Sequence, residues 1–212
     1  MKFRIEKDSL GEVKVPQKAL WGAQTQRALD NFKISGIKFA FPFGRSFIEA
    51  LGIIKYSAAS ANNKLKLLPK NKAAAIKIAS KDVMHGVYDE SFPLDVFQTG
   101  SGTSTNMNAN EVIANVASKK SKLIINANDD VNMSQSSNDV IPTAICISAL
   151  IDMHRILLPN MDGLIKAIDT KMKKVKGILK LVEHILWMPC QSILLRSFLA
   201  GKLNLNHLKK LY

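Results

Sequence analysis

The sequence predicts a mainly α-helical fold, and three observations support this. Apolar residues recur near helical spacing over Arg45 to Asn63 and again over Asn71 to His85. Two further segments, Val140 to Leu158 and Met161 to Lys176, are long enough for several helical turns. No alternating pattern of the kind that marks a strand persists for long.

The elements follow in order along the chain. Residues 1 to 45 are predicted to be irregular, because glycines and prolines interrupt every candidate element. Pro69 separates the first two helices as a helix-start signal, and a helix-like run follows from Glu111 to Lys119. The segment Leu158-Pro159-Asn160 is predicted to break the last two segments into a helical hairpin.

Length and composition predict one or two globular domains, because 212 residues with 47% apolar content can bury a sizeable core. The N-terminus shows no apolar run suited to a signal peptide, and about 18 apolar residues never run without a charge, so the sequence predicts a cytoplasmic chain that does not enter a membrane. Cys146 and Cys190 match no metal-ligand spacing and are interpreted as ordinary thiols. No metal and no cofactor is expected.

The net charge of +13 raises the question of nucleic-acid binding. Over half of this excess lies between Asn160 and Tyr212. No aromatic residues are interleaved with these basic residues, and no zinc-finger spacing or other nucleic-acid motif is present. We therefore expect no nucleic-acid partner.

Residues 98 to 110, QTGSGTSTNMNAN, concentrate glycines and hydroxyl groups just before the helix-like run. Gly100 and Gly102 allow the backbone to approach a ligand closely, and the first N–H groups of a helix attract anions. The residues alone leave two interpretations open: a site for a small carboxylate or phosphate, and a solvated loop or helix cap.

A second stretch of the same kind favours the anion site. Residues 128 to 139 place Ser136, Ser137 and Asn138 before the apolar segment that begins at Val140. Two donor-rich segments that each lead into a helix suit a ligand with two anionic ends. One segment per carboxylate of a small dicarboxylic acid is the simplest arrangement.

The chain resembles class II fumarate hydratase, in the fumarase/aspartase superfamily. Four blocks carry the resemblance in order: FRIEKDSLGEVKVP (3 to 16), WGAQTQRALDNF (21 to 32), FPLDVFQTGSGTSTNMNANEVIAN (92 to 115) and NDDVNMSQSSND (128 to 139). It covers roughly residues 3 to 180. Aspartases are the alternative within the superfamily; the fumarase form is favoured by Trp21, Gln24, Gln26, TGSGT at 99 to 103 and SQSS at 134 to 137.

The resemblance implies a lyase that hydrates fumarate reversibly to L-malate, as in the tricarboxylic acid cycle, in a homotetramer whose active sites combine loops from three subunits. It also implies an N-terminal helical domain, at 1 to 139, and the start of a long central helix bundle, at 140 to 180. The substrate-binding residues that it implies are Ser101, Gly102, Thr103, Ser136, Ser137 and Asn138. A second, surface-nearer anion site of the family lies on a His-Pro-Asn-Asp segment, of which this chain keeps only Asn128 and Asp129.

After Lys180 the sequence departs from the family pattern. The family continues with a block like Lys-Ile-Gly-Arg-Thr-His, whose histidine is catalytic, whereas this chain reads KLVEHILWMP at 180 to 189. Deleting one A from AAA ATT GGT AGA ACA CAT TTT ATG GAT GCC yields the observed reading. We therefore interpret 181 to 212 as a frameshifted tail and His184 as a coincidental histidine, which leaves no catalytic residue assigned.

The predicted consequence is a fragment without measurable fumarase activity. The family's histidine region and the later loop with its catalytic serine have no counterpart in the tail. A non-enzymatic role, as an interaction partner of an intact fumarase through 140 to 176, is the competing hypothesis.

Overall fold

The computed structural model describes residues 2–38, 45–182 and 190–210. His184 lies outside these residues. The chain divides into two compact units, Met1–Ala149 and Leu150–Tyr212. The described residues are mainly helical, which confirms the predicted fold class.

The N-terminal unit begins with an antiparallel hairpin of β1 (Phe3–Asp8) and β2 (Gly11–Pro16), and α1 (Ala23–Asn31) follows. The prediction that residues 1 to 45 are irregular is therefore wrong. Gly11, at φ 108°, supplies the left-handed turn conformation between the strands. Arg4 then ties the hairpin to the next segment, because its guanidinium donates to the carbonyl oxygens of Ala19 and Trp21 at 2.8 and 2.7 Å.

Three helices form the core of this unit: α2 (Ser46–Lys64), α3 (Lys70–Met84) and α4 (Thr103–Ser121). The predicted first and second helices are confirmed, and Pro69 is the residue that precedes α3. Small residues let the helices approach closely: a Cβ on Gly52 would lie 2.9 Å from Met84 Cγ. A short 3-10 turn, Asp89–Ser91, leads out of α3 toward the first donor-rich stretch.

The helix predicted from Glu111 begins eight residues earlier, at Thr103. Packing explains the difference, because nearly every side chain from Thr105 to Ala117 is buried in the core, the asparagines among them. Residues 103 to 110 of the donor-rich stretch therefore lie on a helix rather than in a loop. A π-helical turn, Ala127–Val131, then leads to α5 (Ser137–Asp152).

The C-terminal unit contains a π-helical segment, Met153–Leu157, followed by α6 (Leu158–Lys174). The predicted hairpin break at 158 to 160 is wrong, because helix continues through these residues. Pro159 lies in the first turn of α6, where its missing N–H costs least. The π-helical segment before it already departs from the α-helical hydrogen-bond pattern that a proline would interrupt. Asn160 Nδ2 also donates to the Ile156 carbonyl at 2.8 Å.

The rest of this unit consists of β3 (Leu179–Val182), β4 (Cys190–Ile193) and α7 (Leu194–Lys210). The two strands pair antiparallel. Lys202 pairs with Asp169 at 2.5 Å, and Lys209 pairs with Asp162, so that α7 is joined to α6 by two ion pairs.

The helical stretch Ser137–Lys174 is long and apolar enough to cross a membrane by length and composition, with a mean hydropathy of 1.6 over its most apolar window. One such helix is weak evidence for a membrane span, because core helices of globular proteins pass the same test.

Candidate functional site

The first donor segment, residues 98 to 105, leads into α4 through Gly102. This glycine has φ 70°, in the left-handed region, and a Cβ there would lie 2.9 Å from Ile141 Cγ1. Backbone conformation and packing therefore both require glycine at this position. The close approach also places the first turn of α4 against α5.

Exposed hydroxyl groups surround this helix start. Ser101 Oγ and Thr103 Oγ1 lie 2.9 Å apart, and both residues are exposed. The N–H groups of Thr103 and Ser104 belong to the first turn of α4, so the helix itself provides them no acceptor. Free N–H groups, two hydroxyls and the positive end of a 19-residue helix form a suitable site for a carboxylate.

The second donor segment, residues 132 to 138, is held by the first turn of α5. The carbonyl oxygen of Ser136 accepts from Asp139 N at 3.1 Å and from Val140 N at 3.0 Å. Ser136 Oγ accepts from Asn138 N at 3.3 Å, so this serine caps the helix. Ser136 and Asn138 are exposed and Ser137 is half-buried, which leaves all three side chains within reach of a ligand.

Asn106 joins the two segments. Its Nδ2 donates to Ser137 Oγ at 2.9 Å and to Asn132 Oδ1 at 3.2 Å, and the residue is fully buried. The second segment thus contacts α4 within one turn of the helix start that follows the first segment.

Lys55, on α2, supports the second segment from inside the protein. Its ammonium group donates to Gln135 Oε1 at 2.9 Å and to Asn132 Oδ1 at 3.1 Å, and its side chain is fully buried. No carboxylate of the described ranges pairs with it. Burial lowers the pKa of Lys55 to about 7, because desolvation disfavours the charged form.

Asp95 holds the chain just before the first segment. Burial acts to raise the pKa of this carboxyl group, but hydrogen bonds from the N–H groups of Phe97, Ser35 and Gly36 outweigh it and lower the pKa to about 2. Three residues after Asp95, Gln98 Nε2 donates to Thr105 Oγ1 at 2.6 Å. These bonds fix the approach of the chain to the α4 start.

A cavity of about 450 Å³ lies beside the first segment, with a mainly apolar lining. Phe47, Phe97, Ile141 and Ile145 contribute side chains, and Gly100 and Gly102 contribute backbone. An apolar wall next to the donors suits the hydrocarbon part of a small carboxylic acid, because low polarity strengthens nearby hydrogen bonds to its charged end.

Glu111 has a structural role. Its carboxylate accepts from the N–H groups of Gly22, Gln24 and Thr25 and from Thr25 Oγ1, and so caps the N-terminus of α1 from another helix. Burial raises the pKa of Glu111, while these hydrogen bonds oppose the shift. Glu111 therefore stabilises the start of α1 from the middle of α4.

The residues matched to the second anion site lie on the π-helical turn, where Asn128 and Asp129 are exposed. Their N–H groups donate to Asn126 Oδ1, at 2.8 and 3.1 Å. Asn126, at the position of the family's histidine in the resemblance, thus already accepts from both of these N–H groups. The assignment stays a prediction.

Sequence reasoning missed Lys55, Asn106, Asn132 and Gln135. A signal for Lys55 was present, because a lysine at i+4 from Leu51 and i−4 from Ala59 falls on the apolar face of α2. Within the described parts of the chain, no group of three or more His, Cys, Asp or Glu side chains is arranged to hold a metal ion.

Comparison with known proteins places these features in a family. A family model described as Lyase matches residues 11–182. The chain belongs to this lyase family. Class II fumarate hydratase of Xylella fastidiosa (strain Temecula1 / ATCC 700964) is 52% identical over 179 residues, which cover 84% of this chain and 37% of the relative. That of Halobacterium salinarum is 49% identical over 183 residues, covering 84% and 38%.

Solved structures agree with this placement. Class II fumarase from Schistosoma mansoni has a TM-score of 0.88 at 32% identity, over 99% of this chain and 44% of that one. A fumarate lyase:delta crystallin from Brucella melitensis has a TM-score of 0.87 at 39% identity, over 97% and 49%. The resemblance to class II fumarate hydratase is confirmed, and this chain of the lyase family spans less than half the length of these relatives.

Proposed function

We propose that the two donor segments form part of a fumarate hydratase active site and bind a small dicarboxylate, fumarate or L-malate. The observation that carries the proposal is the bond between Asn106 and Ser137, which holds the start of α5 against the first turn of α4. The identities near 50% with class II fumarate hydratases add support. The reaction assigned is reversible hydration, a lyase reaction.

The donors fit the charge that this reaction develops. When a proton leaves the carbon next to a carboxylate, negative charge moves onto that carboxylate before hydroxide departs from the neighbouring carbon. Hydroxyl and N–H donors fixed before the reaction stabilise this charge without reorganisation. Ser101, Gly102 and Thr103 are proposed to hold one carboxylate, and Ser136, Ser137 and Asn138 the other.

Calorimetric titration with fumarate tests the binding. We expect saturable binding that Ser101→Ala and Ser137→Ala each weaken by roughly tenfold, the loss expected for one hydrogen bond to a charged ligand. Ser60→Ala is the matched control, because its hydroxyl donates to Tyr56 O within α2. No saturable binding, or an equal loss at Ser60, would contradict the proposal. L-aspartate displacing fumarate more effectively than L-malate would favour the aspartase alternative.

We also propose that the chain alone does not turn substrate over. Residues 180 to 189 read KLVEHILWMP, which does not supply the Thr-His pair of the family block. The four donors Ser101, Thr103, Ser136 and Ser137 bind and orient, and none is a general base near neutral pH. Malate consumption followed by ultraviolet absorbance should stay at background, and steady fumarate formation would refute this.

Assembly with other chains is proposed from the apolar side chains exposed on the C-terminal unit, from the end of α5 through the π segment to α6. They are Leu150, Ile156, Leu157 and Leu164. Such a surface suits helix packing with further copies, or with an intact fumarase, in the cytoplasm. Light scattering should give a mass above that of one chain of 23.4 kDa, whereas a monomer at all concentrations would contradict it.

The frameshift remains a proposal for 181 to 212, and the family match ending at residue 182 supports it. Sequencing the encoding DNA is the test. The alternate frame should read Lys-Ile-Gly-Arg-Thr-His across this junction, and the absence of any family reading there would refute the proposal.

A further inference from the structure

Two buried polar side chains near the donor segments take no part in the proposed chemistry. Lys55 and Asn106 are both fully buried, yet neither is among the proposed ligand-binding residues. They meet at Asn132 Oδ1, which accepts from both. Asn106 then continues to Ser137 Oγ.

Which atom donates in each of these bonds follows from the donor and acceptor groups of the side chains. Asn132 Nδ2 donates to the Gln135 carbonyl, so the atom of Asn132 that faces Lys55 is its oxygen, which accepts from the lysine. Asn106 must therefore present its NH₂ group to that oxygen, and the same NH₂ group donates to Ser137 Oγ at 2.9 Å. The amide orientation of Asn106 thus follows from Asn132, which Lys55 and the Gln135 carbonyl hold in place.

The consequence falls on the Ser137 hydroxyl. A serine hydroxyl has one proton and two lone pairs, and Asn106 occupies one lone pair. The proton cannot point at Asn106, because an NH₂ group does not accept, so it remains available to a ligand on the exposed side.

We propose that Lys55, Asn132 and Asn106 are positioning residues that hold Ser137 so that its hydroxyl proton is offered to a ligand carboxylate. This inference rests on the proposed function. Lys55 and the Gln135 carbonyl hold Asn132, Asn132 orients the amide of Asn106, and Asn106 occupies one acceptor position of Ser137. None of the three touches the ligand.

A second bond from Lys55 strengthens the assignment. Gln135 Oε1 also accepts from the ammonium group, and Gln135 Nε2 donates to the Val131 carbonyl at 2.9 Å. Asn132 Nδ2 donates to the Gln135 carbonyl at 3.1 Å. The backbone of the second donor segment is thus anchored to one buried cation.

A double-mutant cycle on the full chain, with fumarate as the probe, tests the proposal. Asn106→Ala and Ser137→Ala should each weaken binding by roughly tenfold, while the double variant should bind within about twofold of Ser137→Ala. Asn108→Ala is the matched control: Asn108 is also buried on α4, but its Nδ2 donates to the Ser91 carbonyl. Its fumarate affinity should stay within about twofold of the unmodified chain.

Three results would overturn the proposal. They are unchanged fumarate affinity in Asn106→Ala, losses that multiply in the double variant, and an equal loss in Asn108→Ala. Lys55→Met provides a second route if Asn106→Ala fails to fold, and it should also weaken fumarate binding when compared with Asn108→Ala. Unchanged affinity in a folded Lys55→Met chain would overturn it as well.

Hydrogen exchange separates this inference from the proposed function. If the unmodified chain does not bind fumarate, the proposed function fails, and amide exchange at Asp139 and Val140 decides the inference. Both amides donate to the Ser136 carbonyl. Exchange should be roughly tenfold faster in Asn106→Ala than in Asn108→Ala, and equal rates would overturn the inference.

Discussion

Lys55 is the residue on which the second donor segment depends, and its burial has a measurable consequence. The unfolded chain keeps the Lys55 proton up to its ordinary pKa of 10.5, whereas the folded chain releases it near pH 7. Between these values the unfolded state binds more protons, so the free energy of unfolding rises with pH.

Lys55→Met should remove this dependence. The free energy of unfolding of the unmodified chain, relative to the variant, should increase by up to about 4 kcal/mol from pH 7 to 10.5, and denaturant titrations along this range measure it. Lys64→Met, at an exposed position of the same helix, is the control and should follow the unmodified profile. Parallel profiles for the chain and Lys55→Met would contradict the burial of this cation.

Gly102 offers a second test at the residue scale. Gly102→Ala combines a left-handed backbone position with a Cβ 2.9 Å from Ile141, so we expect a loss of about 2 kcal/mol in unfolding free energy. Gly100→Ala is the control in the same segment, because a Cβ there meets nothing within 4 Å. Equal losses in thermal denaturation at the two positions would contradict this geometry.

At the scale of elements, α1 depends on a cap supplied by α4. Glu111→Leu leaves the N–H groups of Gly22, Gln24 and Thr25 without their acceptor, and each buried unpaired donor costs about 1–3 kcal/mol. Circular dichroism should show a lower midpoint of thermal unfolding. Glu90→Leu, at an exposed glutamate, should shift it little. A midpoint unchanged by Glu111→Leu would show that α1 does not need this cap.

Elements whose signals lie within their own sequence were predictable, and elements that depend on distant contacts were not. The helices α2 and α3 were predictable, because apolar spacing and Pro69 are local signals. The start of α4 was not, since buried asparagines such as Asn106 are stabilised by partners far along the chain. The helix through Pro159 was mispredicted because a π-helical segment precedes the proline and places it in the first turn of α6, where its missing N–H costs little.

The residues of the candidate site also fall into a group with local sequence signals and a group without them. Ser101 and Ser137 were predictable from hydroxyl groups that precede a helix and from the family resemblance. Asn106 and Asn132 were missed because their role is a set of contacts between segments, and the one sequence signal was a lysine on an apolar face. The contacts among α2, α4 and α5 that unite the segments cannot be read from either stretch alone.

For the whole molecule, the proposed frameshift after Lys180 predicts that activity can be recovered. Adding one A to the run that encodes Lys180 should restore Lys-Ile-Gly-Arg-Thr-His and the reading that follows in the gene. Conversion of malate to fumarate by the restored product, against no conversion by the present chain, is the expected result. A restored product without family sequence after the junction would contradict the frameshift.

The most direct test of the central claim, that the two donor segments hold one dicarboxylate, is a residue-resolved NMR titration of the chain with fumarate. Saturable shifts should concentrate at 101 to 103 and 136 to 138, and propionate, with one carboxylate, should produce weaker shifts. Shifts absent from both segments, or confined to the lysine-rich residues after Asn160, would contradict it.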